Sequence, residues 1–93
     1  MYNNAMKMIV AIVQDKDNEP VTQALITHNY RVTRIASSGG FLRRGNTTLM
    51  VGVENDRVDD AIGVIRESCS QPGEPGTKRA SLFVLDISKF DQL

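Results

Sequence analysis

The residues best suited to bind a phosphorylated ligand lie close together in the stretch 29–46, NYRVTRIASSGGFLRRGN. Arg31 falls on a predicted strand, and its planar guanidinium matches two phosphate oxygens. A glycine pair then frees backbone N–H groups that can face an anion. The residue after that pair, Phe41, offers an aromatic ring, and an amide side chain stands at each end of the stretch. Together these are the parts needed to hold a phosphorylated nucleotide.

The same stretch also fits a simpler interpretation. It can be a long β-hairpin whose glycines only satisfy the geometry of the turn. Composition does not separate the two interpretations, because hairpins rich in glycine are common. The decision therefore depends on the rest of the chain.

Length and charge limit what the chain can be. Its 93 residues fit one domain, which we expect over 6–93, with 1–5 as an unstructured extension. Eleven basic residues balance eleven acidic ones. The whole surface therefore has no net attraction for nucleic acid or an anionic membrane, and any anion site must be local.

The cysteine count and the hydropathy pattern predict a cytoplasmic protein. A single cysteine, Cys69, excludes an internal disulfide framework and suits a reducing compartment. We interpret it as a small apolar core residue, and His28 as a residue of the first helix or its end. With no second His or Cys nearby, no metal site is predicted. The longest apolar run, Met8–Val13, is too short to cross a bilayer.

Hydrophobic periodicity predicts four strands and two helices. Strands are expected at 7–14, 30–37, 47–54 and 80–87 from short apolar or alternating runs. Amphipathic helices are expected after residues 17 and 55, where Asp17 is a candidate N-cap and Asp56 with Asp59 resembles a capping box. The first strand, apolar on both faces, predicts a central strand buried on both sides. The segment 70–79 is predicted to be a loop.

The element order β-α-β-β-α-β predicts an α+β, ferredoxin-like domain. Right-handed crossovers place both helices on one face of a four-stranded antiparallel sheet. The other face then carries Ile35, Met50 and half of the first strand, which is too much apolar surface to leave in water. We therefore expect a closed homo-oligomer that buries this face.

Four segments of the chain carry a family resemblance. They are MKMIVAIVQDKD, HNYRVTRIASSGGFLRRGNTT, VGVENDRVDDAI and LFVLDISKFDQL. Together they resemble the cyclic di-AMP receptor proteins of the PII-like group, small trimeric bacterial signal proteins that bind their ligand between subunits. The resemblance implies a cytoplasmic homotrimer that is not an enzyme, has no cofactor and signals to a downstream protein that the sequence does not identify.

The resemblance also implies which residues contact cyclic di-AMP. Arg31 would bind a phosphodiester, Phe41 and Leu42 would cover an adenine, and Asn46 would match an adenine edge. The full set of implied ligand-binding residues is Asn29, Arg31, Thr33, Gly40, Phe41, Leu42, Asn46, Gly52, Phe83 and Gln92. The chain departs from the family pattern in its short connection at 70–79, where relatives carry a long excursion.

Three other functions are compatible with parts of the sequence. A PII-like sensor of another nucleotide, such as ATP, is the nearest alternative. An RNA-binding domain shares the element order, but it needs aromatic residues on the central strands, and the segments 8–13 and 47–53 contain none. A small enzyme such as a phosphatase needs a nucleophile or a metal-positioning cluster, and no such arrangement is visible in the sequence.

Overall fold

The computed structural model describes residues 6–35, 45–70 and 80–87. The strands and helices within these ranges, in chain order, are β1 (Met6–Gln14), α1 (Asn18–Thr27), β2 (Arg31–Ile35), β3 (Asn46–Glu54), α2 (Val58–Ser68) and β4 (Ala80–Ile87). A single 3₁₀ turn precedes each helix, at Asp15–Asp17 and Asn55–Arg57. The predicted order of elements is confirmed.

The four strands form one antiparallel sheet in the order β2-β3-β1-β4. β1 is central, as its apolar sequence predicts, and β2 and β4 are the edges. Arg34 disturbs the alternation of β2, which is tolerated because β2 is an edge strand. Its side chain is half exposed and pairs with Glu19 of α1 at 3.3 Å. The arrangement is the predicted ferredoxin-like fold.

Both helices pack on one face of the sheet. From that face the alternate residues Leu49, Val51 and Val53 of β3 enter the core, as their spacing predicts. The helices contribute residues at helical spacing, among them Leu25 and Ile65, which are 0% and 1% exposed. Cys69 is 6% exposed and belongs to this core, in agreement with its interpretation as an apolar core residue.

The opposite face of the sheet, called the open face below, is covered by neither of the two helices in the described residues. Strand register places Met8, Val10 and Ile12 of β1 there, in line with Met50 of β3 and Phe83 of β4. The three β1 residues are only partly buried, whereas their neighbours on the helical face are at most 1% exposed. The expectation that β1 is buried on both sides therefore does not hold within one subunit, because the described helices form a single layer on one face of the sheet.

The predicted side-chain caps of the two helices are wrong, because neither helix start has a capping hydrogen bond from a side chain. Asp17 does stand at the N-cap position of α1, but its backbone is at φ −97°, ψ −5°, and its side chain caps nothing. A capping side chain needs an extended backbone, which the preceding 3₁₀ turn removes. In α2 the same kind of turn moves the N-cap position to Arg57, so Asp56 and Asp59 form no capping box.

The Asp17 carboxylate binds a different partner. Asp17 is 3% exposed and accepts hydrogen bonds from the backbone N–H of Ser70 at 3.1 Å and from the Ser70 hydroxyl at 3.3 Å. These bonds join the start of α1 to a residue two positions beyond the end of α2. The buried carboxylate therefore ties the two helices together.

We expect Asp17→Ala to lower the free energy of unfolding by about 1–3 kcal/mol, because it removes two hydrogen bonds that a buried carboxylate accepts from Ser70. The matched control is Asp15→Ala in the same turn. Asp15 is exposed and accepts a hydrogen bond from the Thr47 hydroxyl at 2.5 Å, so its loss is expected to cost less than about 1 kcal/mol. Urea unfolding of both variants tests this difference, and equal losses would contradict it.

Candidate functional site

A tight turn after α1 sets the position of Arg31. The helix ends at Thr27, and Asn29 adopts a left-handed backbone with φ 70°, a conformation that asparagine tolerates better than most residues. The backbone N–H of Asn29 bonds to the Ile26 carbonyl, and that of Tyr30 to the Leu25 carbonyl, both at 2.9 Å. The chain therefore enters β2 in a fixed direction.

Strand pairing places Arg31 beside Gly52 on the open face. Arg31 is the register partner of Gly52, which is in turn the partner of Met8. Thr33 shares the face with Arg31 because side chains alternate along a strand. A Cβ atom built at Gly52 would meet nothing within 4 Å. The glycine therefore leaves open backbone next to an exposed guanidinium.

These residues line a cavity of about 620 Å³ at one end of the open face. The size is within the range of small-molecule sites. Four of the residues predicted to bind the ligand lie together in its wall, and they are accompanied by apolar side chains from all four strands or the turns next to them. The full lining is Met6, Met8, Asn29, Tyr30, Arg31, Thr33, Met50, Gly52, Val53, Glu54, Arg57 and Ile87.

Two other predicted residues, Asn46 and Phe83, are not brought to this cavity within one subunit. Asn46 pairs with Gln14 at the far end of β3, six residues and about 20 Å along the strand from Gly52. Phe83 lies on the open face but pairs with Val10, about 14 Å across the sheet from Thr33. Gly40, Phe41, Leu42 and Gln92 lie outside the described residues. Their assignment, like that of Asn46 and Phe83, stays a prediction.

Arg57 is a cavity residue that the sequence did not predict. Its guanidinium carbon lies 4.7 Å from the centroid of the Tyr30 ring, and its Nη2 is 3.5 Å from an Asp60 oxygen. The Tyr30 hydroxyl donates to the same Asp60 carboxylate at 2.5 Å. Arg57 stands in the turn before α2, where an arginine resembles any surface residue. Only the fold brings it to Tyr30, so no local signal marks it.

The Tyr30 hydroxyl is held in its protonated form. Burial raises the pKa of Tyr30 above its usual value of 10.0, and the hydrogen bond to Asp60 raises it further. The charge of Arg57 acts in the opposite direction but does not reverse the shift. At neutral pH Tyr30 is therefore a hydrogen-bond donor to Asp60 and keeps that carboxylate next to Arg57.

A second, shallower depression of about 420 Å³ lies between the helices. It contains His28, whose Nδ1 is 2.8 Å from the Ala24 carbonyl oxygen at the end of α1. This contact agrees with the helix-end interpretation of His28. Three carboxylates, Asp59, Asp60 and Glu67, also line this depression. Within the residues that the structure describes, no group of three or more His, Cys, Asp or Glu side chains is arranged to hold a metal ion.

The described part of the chain also has no helix long and apolar enough to cross a membrane.

Comparison with known proteins identifies the family. The sequence profile of the cyclic-di-AMP receptor family matches residues 6–75, which is most of the chain. The chain belongs to this family. The family assignment confirms the predicted resemblance, and the receptor has the antiparallel sheet and two helices expected of a PII-like protein.

Two solved structures resemble the receptor. One is a functionally unknown protein from Pediococcus pentosaceus ATCC 25745, 33% identical, with a TM-score of 0.81 over 98% of the receptor and 100% of that chain. The other is Arabidopsis thaliana PII bound to citrate, 24% identical, with a TM-score of 0.67 over 92% of the receptor and 80% of that chain. The second likeness shows a shared fold.

Proposed function

We propose that this signal-transduction receptor binds cyclic di-AMP at the interfaces of a homotrimer. The observation that carries the proposal is the cavity in which Asn29, Arg31, Thr33 and Gly52 meet on the open face. A cyclic dinucleotide needs a cation for its phosphodiesters and apolar surface for its bases. The cavity offers both, and the family assignment supports this ligand.

The trimer is proposed because the open face is too apolar for water. Phe83 and Leu85 of β4 are 47% and 52% exposed, and Met8, Val10 and Ile12 of β1 are only partly covered. A small domain that buries this face against copies of itself gains the burial it lacks alone. Each copy would then offer its own β3 and β4 to the cavity of a neighbour.

A neighbouring subunit would also explain the residues that stand apart in one chain. Asn46 and Phe83 are too far from Arg31 to reach the same ligand from within a single subunit. In a ring of subunits they can approach the cavity from the adjacent chain. There Phe83 would cover a base, and Asn46 would read an adenine edge with its donor and acceptor.

The receptor is proposed to act without catalysis. Ligand binding would change its surface for a downstream protein in the cytoplasm, and that protein is not identified by the sequence. Binding should also stabilise the assembled form by mass action, since the ligand is held only between folded subunits.

Titration calorimetry with cyclic di-AMP, cyclic di-GMP, ATP and AMP tests the ligand. We expect cyclic di-AMP to bind more tightly than the others, with one ligand per subunit, because only it joins two adenines to two phosphodiesters. Tighter binding of ATP would favour the alternative PII-like nucleotide sensor. Absence of binding by all four would contradict a nucleotide receptor.

A further inference from the structure

We propose that Arg57 is a second anion-binding residue of the cavity, positioned by Tyr30 and Asp60. The inference deepens the proposed function and depends on it for the identity of the ligand. Arg57 lines the same cavity as Arg31, although the two arginines come from different elements. A phosphodiester group is the part of the ligand that it would contact.

Arg57 is positioned while still accessible. Its side chain is 43% exposed, so a ligand can reach the guanidinium. The guanidinium carbon lies over the Tyr30 ring, 4.7 Å from its centroid, and Tyr30 itself is 6% exposed and part of the core. Stacking on a fixed ring restricts an otherwise mobile arginine. Less ordering entropy is then lost when an anion binds.

The Asp60 carboxylate sets the direction of the guanidinium but leaves donors available. The contact joins Arg57 Nη2 to one Asp60 oxygen at 3.5 Å. An arginine has five N–H donors, so a single long contact leaves most of them for a ligand. The same carboxylate oxygen also accepts the hydrogen bond from the Tyr30 hydroxyl, so Asp60 is shared between two donors.

A ligand with two phosphodiesters is matched better by two arginines than by a single arginine. Arg31 on β2 and Arg57 before α2 approach the cavity from separate elements, so each can serve a different part of an extended anion. Glu54 also lines the cavity. A carboxylate there opposes a ligand that is anionic throughout, and it can accept hydrogen bonds from an adenine amino group or a sugar hydroxyl. This pattern of charge favours a dinucleotide over a simple polyphosphate.

The test compares Arg57→Ala, Arg57→Lys and Arg66→Ala by calorimetry with cyclic di-AMP. Arg66 is the matched control, because it is an exposed arginine of α2 that does not line the cavity. We expect Arg57→Ala to weaken binding about tenfold or more and Arg66→Ala to change it less than about twofold. Arg57→Lys keeps the charge but loses the stacked plane, so an intermediate loss is expected. Circular dichroism verifies that each variant is folded.

A parallel titration with inorganic pyrophosphate separates this inference from the proposed function. If wild type binds cyclic di-AMP and Arg57→Ala binds it equally well, the role of Arg57 is overturned while the function stands. If wild type binds only pyrophosphate and Arg57→Ala loses that binding, the function is overturned while Arg57 stands as an anion-binding residue. If wild type binds neither probe, both are overturned.

Discussion

Replacing Arg31 with alanine is expected to weaken cyclic di-AMP binding by about 1.5–3 kcal/mol, or roughly 10- to 150-fold. The loss is that of a charge-assisted hydrogen bond to a phosphodiester. Arg31 is exposed on the open face and contributes nothing to the core, so the fold should be retained. Calorimetry gives the affinity, and thermal unfolding without ligand gives the stability.

Arg34→Ala is the control for Arg31→Ala. Arg34 is three residues along the same strand, points to the opposite face and pairs with Glu19 at 3.3 Å. Its removal changes the net charge equally, and an exposed ion pair contributes at most about 1 kcal/mol to stability. Equal affinity losses in the two variants would indicate a general charge effect. No loss in Arg31→Ala would reject the cavity as the phosphate site.

A charge on the open face is expected to break the assembly. Leu85 of β4 is 52% exposed in the single subunit and lies in register with Met8, which lines the cavity. In the proposed trimer Leu85→Asp would bury an unpaired carboxylate at several kilocalories per mole in each subunit. Light scattering at micromolar concentration should then show a monomer for the variant, whereas we expect a trimer for the wild type.

The neighbouring residue provides a close control. Val84 precedes Leu85 in β4, is 43% exposed and points to the helical side of the sheet. Val84→Asp introduces the same charge on the same strand but outside the proposed interface, so the trimer should persist. Dissociation of both variants would show that the charge acts by weakening β4. A trimer in both would show that the open face is not the interface.

The sequence predicted the elements well because their signals are local. The alternation of Leu49, Val51 and Val53 defines β3, and the helical spacing of Ala61 and Ile65 defines the buried face of α2. The caps failed because a 3₁₀ turn precedes each helix, and such a turn has no distinct pattern in this sequence. The Asp17 carboxylate instead accepts hydrogen bonds from Ser70. Ser70 is remote in sequence, so a rule based on neighbouring residues cannot predict this contact.

The sequence predicted only those site residues that lie on or next to β2 and on its partner strand β3. Arg31 and Thr33 share a face through the period of β2, and Gly52 joins them through register, whereas Asn29 lies in the turn before the strand and not on it. Arg57 was missed because its place in the cavity depends on the packing of the α2 start against Tyr30. The resemblance supplied Asn46 and Phe83, which no pairing within one subunit brings to Arg31.

The central position of β1 has a consequence for synthesis of the chain. β1 needs β3 and then β4 as its two neighbours, and both strands are made after it. At about 5–20 residues per second the backbone N–H and C=O groups along its edges stay unpaired for several seconds. A chain stalled or cut before Ala80 would keep one edge of β1 unpaired beside the apolar open face. Such fragments are expected to aggregate. Completion of translation and chaperone binding to the nascent chain therefore matter more for this domain than for one whose central strand is made last.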